Sequence, residues 1–569
     1  MPDETAPALT HNEVIKDAIP TLAGTIAATL HDATADRFAA DDEQFLKFHG
    51  IYQQDDRDLR KTGKKYMMMI RGRIPGGVMT PAQWIAFDDI ATNLANNTLR
   101  LTTRQSIQYH GVLKSGLGPL IKQINDALLS TLAACGDVNR NVMSPPTPFD
   151  SEVRREVYED CIKVADTLTP ATEAYHAIWI DGVQLNLEEE RNKDFVDPLY
   201  GKTYLPRKFK TGFAIPPIND VDIFTSDLGF VAIVEDGRLT GYNVTVGGGM
   251  GRSHNNTFTY PRLADVLGFV TREQIVEVAR AVLTVHRDFG DRTNRKHARL
   301  KYVVQEKGIG WVRTEVESRI GVTLGTARTV NFTTTSDTYG WGRQLDGRHY
   351  LTLFVASGRV KDAGDWRMKS ALRAIAEQFP EIEFRISANQ NVILADIPDA
   401  RRAELAALLA AHGVSLEKQA TTLHLAAMAC PALPTCGLAL AESERMLPGV
   451  LDTIEALCDE VGMAGEEIVI RSTGCPNGCA RPYMAEIALV GRAPGKYQLW
   501  IGGNKPGTRL NTVFKEVVLA ANIADELRPL LTRWRDERTN GERFGDFASR
   551  VLLPELAASA AAAATTSQS

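Results

Sequence analysis

At 569 residues the chain is longer than one hydrophobic core can organise, and it predicts about three or four domains. A formal net charge of −6 and a pI ≈ 6.1 exclude a general attraction to nucleic acid or to an anionic membrane surface, so neither is expected as a partner. Seven cysteines do not make a secreted disulfide scaffold, no apolar run reaches about 18 residues, and the acidic Met-Pro-Asp-Glu-Thr start lacks a signal-peptide layout; a cytoplasmic protein is expected.

Residues 1–60 read as an arm, with one helix near Ile19 to His31. Residues 61–132 then form a β-α-β-α unit: a strand over Tyr66 to Arg73, a Pro75-Gly76-Gly77 turn, a helix from Thr80-Pro81 to Asn96, a strand over Arg100 to Gly111, and a helix from Pro119 to Leu132. Thr80 is the expected N-cap, with proline at the first helical position. A first large domain fills 133–336, with helices at Ser151 to Leu168 and Arg272 to Phe289 and a strand near Phe230 to Glu235. Over 337–413 the unit returns: a strand at Tyr350 to Ala356, a Ser357-Gly358 turn, a helix from Trp366 to Gln378, a strand from Glu383 to Ala395 and a helix from Ala400 to His412. Arg100-Leu-Thr-Thr-Arg-Gln105 overlays Arg385-Ile-Ser-Ala-Asn-Gln390. A duplication spaced by about 285 residues is too long for a solenoid and predicts an α+β fold of two halves related by a pseudo-twofold axis. The echo of Gly241 to Gly249 in Tyr497 to Gly503 agrees. A second large domain spans 414–556, with a helix around Glu442 to Val461, strands at Glu467 to Arg471, Ala485 to Gly491 and Tyr497 to Ile501, and helices after Asn511. Residues 557–569, rich in Ala, Ser and Thr, read as a disordered tail or a frayed helix.

Four of the seven cysteines stand in this last domain as two pairs, Cys430-Pro-Ala-Leu-Pro-Thr-Cys436 and Cys475-Pro-Asn-Gly-Cys479. Four thiolates from two turns make a soft, all-sulfur site of the kind an iron–sulfur cluster needs. The five-residue gap in the first pair lies outside the usual structural zinc spacing, although zinc and unrelated core cysteines remain the other readings. Each pair opens with Cys-Pro, which stiffens the turn.

Against the acidic total, short segments are dense in cations: Met69 to Arg73, Arg100 with Arg104, Asn139-Arg140-Asn141, Leu205 to Lys210, and Arg292 to Lys301. In an extended segment Lys208 and Lys210 face one side and Phe209 the other, and two ammonium groups so placed repel unless an anion lies between them. A polyanionic cofactor or a small oxyanion answers this; a solvated charged face is the plainer reading. Gly247-Gly-Gly-Met-Gly251 follows a strand but lacks the spacing of a dinucleotide loop, and no phosphate-binding G-x-x-x-x-G-K-[S/T] occurs, so no nicotinamide nucleotide is expected on this chain.

Taken together, Cys-x5-Cys followed by Thr-Gly-Cys-Pro-Asn-Gly-Cys, the Arg-Leu-Thr-x-Arg-Gln stretch, Asn-Arg-Asn-Val, Leu-Pro-Arg-Lys-Phe-Lys and the segment Phe48 to Asp58 resemble the siroheme/[4Fe-4S] sulfite and nitrite reductase family. Within it they are most similar to the hemoprotein (beta) subunits of assimilatory sulfite reductases. The resemblance implies three domains around a siroheme/iron–sulfur centre and a six-electron reduction of sulfite to sulfide. Cys430, Cys436, Cys475 and Cys479 would hold a [4Fe-4S] cluster, with Cys479 bridging to siroheme iron beside Asn477. Arg73, Arg140, Lys208 and Lys210 would surround the anion, while Arg100, Arg104, Arg207 and the Arg295 to Lys301 segment would hold the siroheme carboxylates. Some relatives crosslink a cysteine after Asn-Arg-Asn-Val-x to a tyrosine; Ser144 stands here. Electrons would come from a flavoprotein alpha subunit. A siroheme nitrite reductase making ammonia and a ferredoxin-linked sulfite reductase are the alternatives.

Overall fold

The computed structural model describes residues 7–171, 178–180, 183–185, 195–417 and 419–566. Two five-stranded sheets of matching order carry the duplication. One runs Ile51–Asp55, Tyr66–Arg71, Ile107–Val112, Leu99–Leu101 and, at its edge, Arg359–Val360. The other runs Gly340–Arg343, His349–Leu353, Val392–Ile397, Glu383–Ile386 and, at its edge, Val78–Met79. Each half therefore lends the other a two-residue strand: Arg359 pairs with Arg100, and Val78 with Arg385. Reciprocal exchange of equivalent elements is what a twofold relation between halves produces. Helix Pro81–Leu94, capped by Thr80 in a reciprocal box with Gln83, packs on helix Met368–Gln378 at the same junction. Trp84 stacks on Phe384 there, ring centroids 4.7 Å apart.

Neither stretch read from the sequence as one long strand is continuous. Arg100 to Gly111 is a hairpin whose strands Leu99–Leu101 and Ile107–Val112 flank a tip, closed by Thr102 N–H donating to Ser106 O (2.9 Å). Glu383 to Ala395 breaks in the same way, with Ser387 N–H donating to Asn391 O (3.0 Å). Gln105 (φ 52°) and Gln390 (φ 74°) both take the left-handed conformation that turns the chain. The motif shared by the two halves is thus a tip, not a strand.

The larger domains also match each other. In the first, Thr211–Ala214 runs parallel to Leu228–Glu235, followed antiparallel by Arg238–Val246 and Asp265–Val270, with helices Glu152–Thr167 and Ile275–Phe289 packed alongside. In the second, Ile470–Thr473 runs parallel to Ile487–Ala493, followed antiparallel by Lys496–Ile501 and Thr512–Leu519. That last strand precedes the helices expected after Asn511, the first long one of which starts at Ile523. Valines and threonine in Thr512–Leu519 favour the pleated state.

The arm is more ordered than its composition suggests. Helices His11–Ala18, Ile26–His31 and Ala40–Phe48 replace the one expected over 19–31, which Pro20 and the left-handed Leu22 and Gly24 interrupt. Glu13 and Lys16 are buried, with Lys16 Nζ 2.6 Å from Glu13 Oε1 and donating to Leu205 O at 2.8 Å. At the other end, helix Leu553–Thr566 occupies the stretch read as a disordered tail, as its alanine content permits; residues 567–569 lie outside the described residues. Among the described residues no helix is long and apolar enough to cross a membrane.

Candidate active site

Strands Met428–Ala429 and Ile470–Thr473 are parallel neighbours, so their C-terminal ends deliver both cysteine turns to one edge of the sheet. Gly474 N–H donates to Cys430 Sγ at 3.3 Å, and Gly474 O accepts from Leu440 and Ala441. A side chain on Gly474 has no room: its Cβ would stand 2.5 Å from that of Ala432. All seven cysteines are free thiols. Burial, then Cys430 and Cys479, pushes Cys436 up to about 12. Burial, then Cys479, raises Cys430 and Cys475 as well. Cys430, Cys436 and Cys475 therefore lie close enough to a neighbouring thiol for their ionisation to be suppressed, which a metal centre reverses by taking the protons' place. Among the described residues no three His, Cys, Asp or Glu groups meet around a single ion-sized point. Four soft donors on two adjacent turns match the ligand set of an iron–sulfur cluster, in which each cysteine takes a different iron.

The cations assemble next to these turns. Bridges Asn139–Phe209 and Met143–Gly212 lay the Asn-Arg-Asn segment alongside the Lys-Phe-Lys segment, and Arg140 N–H donates to Phe209 O at 2.9 Å. Asn141 is the hub: its amide joins Ile74 N and O (2.9 and 2.7 Å) to Arg104 O (2.8 Å). The glutamines at the two hairpin tips hold the two reactive segments. Gln105 bonds both backbone groups of Ser144 (2.7 and 2.9 Å), and Gln390 donates to Ala429 O (3.1 Å), the residue before Cys430.

Phe209 is fully buried between half-buried Lys208 and Lys210, as the alternation predicts. Burial, reinforced by Arg207 and Arg299, lowers Lys208 to about 7, and burial with Lys208 and Arg104 carries Lys210 well below the ordinary lysine range. Burial together with Arg140 brings Arg104 to about 9, and burial with Arg295 brings Arg207 to about 10. Cys479 is the counter-charge that opposes the shift at both lysines. Among the described residues no acceptor takes a hydrogen bond from Lys208, Lys210 or Arg207 side chains, so this group of cations is short of anions.

Several expected members are engaged elsewhere. Arg100 Nε lies 3.0 Å from Glu444, and its other nitrogens face Leu101 O and Ala429 O, so it braces the first cysteine turn. Arg73 donates to Ala165 O (2.7 Å) at the end of helix Glu152–Thr167. Arg295 forms a two-pronged pair with Asp137, Arg299 one with Asp227, and Lys301 is surrounded by the carbonyls of Gly249, Gly251 and Tyr260. The glycine loop rejected as a nucleotide site has another use: Arg252 N–H donates to Pro476 O (3.0 Å), and Gly251 lies against Asn477 O. Sequence reasoning did not single out Asn141's bonding role, Glu444, Asp222, Arg471 or Arg481; only the adjacency of Arg481 to Cys479 offered a signal.

Duplicated halves, a four-cysteine edge and a facing cation cluster define a redox protein that handles an anion. The family model for the nitrite and sulphite reductase 4Fe-4S domain matches residues 162–324, and that for the nitrite/sulfite reductase ferredoxin-like half domain matches 60–127 and 342–412. The first match falls in the domain equivalent to the one that carries the four cysteines. Similar relatives bear the name sulfite reductase [NADPH] hemoprotein beta-component. That of Staphylococcus haemolyticus is 49% identical over 545 residues (95% of this chain, 94% of the relative), and that of Geobacillus kaustophilus 49% over 551 (95% of each). The solved structure of the Mycobacterium tuberculosis NirA protein shares the fold, with a TM-score of 0.77 at 24% identity over 96% of this chain and 97% of that one. This chain belongs to the nitrite and sulfite reductase family.

Proposed function

We infer that the chain reduces sulfite to sulfide as the hemoprotein component of an NADPH-dependent sulfite reductase, receiving electrons from a flavoprotein partner. One observation carries the reading: Cys479 of the four-cysteine centre lies in the electrostatic field of Lys208 and Lys210, so sulfur ligands and anion-seeking cations meet at one place. Cys430, Cys436, Cys475 and Cys479 would hold a [4Fe-4S] cluster, with Cys479 shared with siroheme. When bound, that pair would supply the electrons and a coordination position for sulfite. Arg207, half-buried with no carboxylate partner among the described residues, suits the siroheme carboxylates, as does Arg104, which has no carboxylate partner there either although one of its nitrogens already donates to Asn141 O and Thr211 O. Arg100 is better read as a brace for Cys430, since its nitrogens already face protein acceptors.

Lys208, Lys210 and Arg140 would bind the anion. Each oxygen that leaves sulfite as water needs two protons, and a lysine held near 7 surrenders its proton far more readily at neutral pH than an ordinary one. Arginine, charged throughout, fixes oxygens instead of donating to them. The purified chain should show siroheme and cluster absorption, and should reduce sulfite with reduced methyl viologen but not with NADPH alone. A colourless protein, or NADPH oxidation by this chain unaided, would overturn the reading; faster turnover of nitrite than of sulfite would shift it to that substrate.

A further inference from the structure

We propose that Asp222, with Arg471 and Arg481, forms a positioning clamp that fixes the Cys475–Cys479 loop, and with it the Cys479 sulfur, at the junction of the duplicated halves. The proposal rests on Cys479 being the cysteine shared by siroheme and cluster, and adds what holds it in place.

Arg471 belongs to the strand that leads into the loop, and Arg481 leaves it two residues after Cys479. Both reach back to one oxygen. Arg471 Nη1 donates to Asp222 Oδ2 at 2.6 Å, and Arg481 Nε donates to the same atom. Arg471 Nη1 also donates to Arg481 O (3.2 Å), so the entry and exit of the loop are tied to each other. All three side chains are buried, Asp222 completely. Asp222 comes from the first large domain, some 250 residues away in sequence, and holds a left-handed backbone (φ 48°), a conformation that aspartate tolerates better than most residues.

The rest of the Arg481 fork points to the duplicated halves. Nη1 donates to Thr103 O (2.9 Å) in one hairpin tip, and Nη2 donates to Ala388 O (3.0 Å) in the equivalent tip. Thr103 Oγ1 donates to Cys479 O (3.0 Å), which closes the circuit on the cysteine itself. One planar guanidinium thus registers both pseudo-symmetric tips and the cysteine loop against a single carboxylate. Lysine, a point charge without the fork, cannot hold these directions together. Two buried cations on one buried anion add little net stability but admit few alternative arrangements, which suits a part whose task is position.

The test uses the holoenzyme as parent and as Asp222→Asn and Arg481→Lys. Glu486→Gln is the control: Glu486 is also fully buried, in the domain that carries the four cysteines, but bonds Val469, Arg543 and Gly545. Iron, sulfide and siroheme contents are measured with the EPR signature of magnetic coupling between siroheme and cluster, and with kcat and KM for sulfite using reduced methyl viologen. The clamp predicts retained cofactors, altered coupling, and a kcat lower by roughly 10- to 100-fold with KM unchanged in both variants, while Glu486→Gln keeps the parent signature. If Asp222→Asn does not fold, Arg481→Lys, which keeps a cation beside Asp222, decides alone. Parent-like coupling and kcat in the clamp variants, or the same changes in Glu486→Gln, overturn the clamp. A parent without siroheme and cluster signals would instead overturn the reading of the centre.

Discussion

Replacing Lys208 by Met should stabilise the cofactor-free protein at neutral pH while cutting sulfite turnover, because the fold holds this ammonium against its preference. Burial, with Arg207 and Arg299, moves Lys208 from 10.5 to about 7. Between those values the unfolded chain carries a proton that the folded chain does not, so this group makes stability rise with pH across the window; below about 7 the folded state bears the full penalty of the charged form. At about 1.4 kcal/mol per tenfold, the limit is about 5 kcal/mol. The side chain keeps some contact with solvent, whose screening reduces the expected effect to about 2 kcal/mol. Methionine also buries better than lysine, but that gain does not depend on pH. The decisive quantity is therefore the difference between parent and variant in urea unfolding, followed by tryptophan fluorescence at pH 7 and again near pH 10. The variant should be the more stable at pH 7, with the gap narrowing as pH rises, while the loaded variant loses roughly 10²-fold in turnover. A gap that does not change with pH, or a less stable variant at pH 7, would refute the reasoning.

Cys436→Ser swaps a soft thiolate for a poorly ionised hydroxyl, so iron and sulfide contents should collapse and siroheme should be lost with them; full iron content in that variant would remove Cys436 from the ligand set. Glu444→Gln strips the carboxylate shared by buried Arg100 and Arg359, and should lower stability by about 3–5 kcal/mol in urea unfolding. An unchanged midpoint would mean that Arg100 is held by something other than this pair.

Much of this was legible in the sequence because the signals were local. Cysteine spacing, the Lys-Phe-Lys alternation and the Thr80-Pro81 start all lie within one turn or one strand. The first hairpin tip was hidden because Thr102 to Ser106 contains no Gly, Pro or Asn, and the left-handed position falls on Gln105, which is held by its bonds to Ser144. Arg100 was indistinguishable from Arg104 on chemistry; only the approach of Glu444 separates them. Nothing local marks Glu13 and Lys16 as buried, because their partners Arg292 and Leu205 lie far along the chain.

The exchange of edge strands sets a schedule for making the protein. Strand Leu99–Leu101 waits for Arg359–Val360, which leaves the ribosome about 260 residues later; at roughly 5–20 residues per second that is on the order of 15–50 s. Throughout that interval the first sheet has an open edge, the part of a β-protein most prone to pair with a neighbouring chain. Crowded polysomes and fast expression are therefore the conditions under which this chain is most exposed to misassembly, and a silent change that slows translation between residues 113 and 358 lengthens the exposure without altering the finished protein.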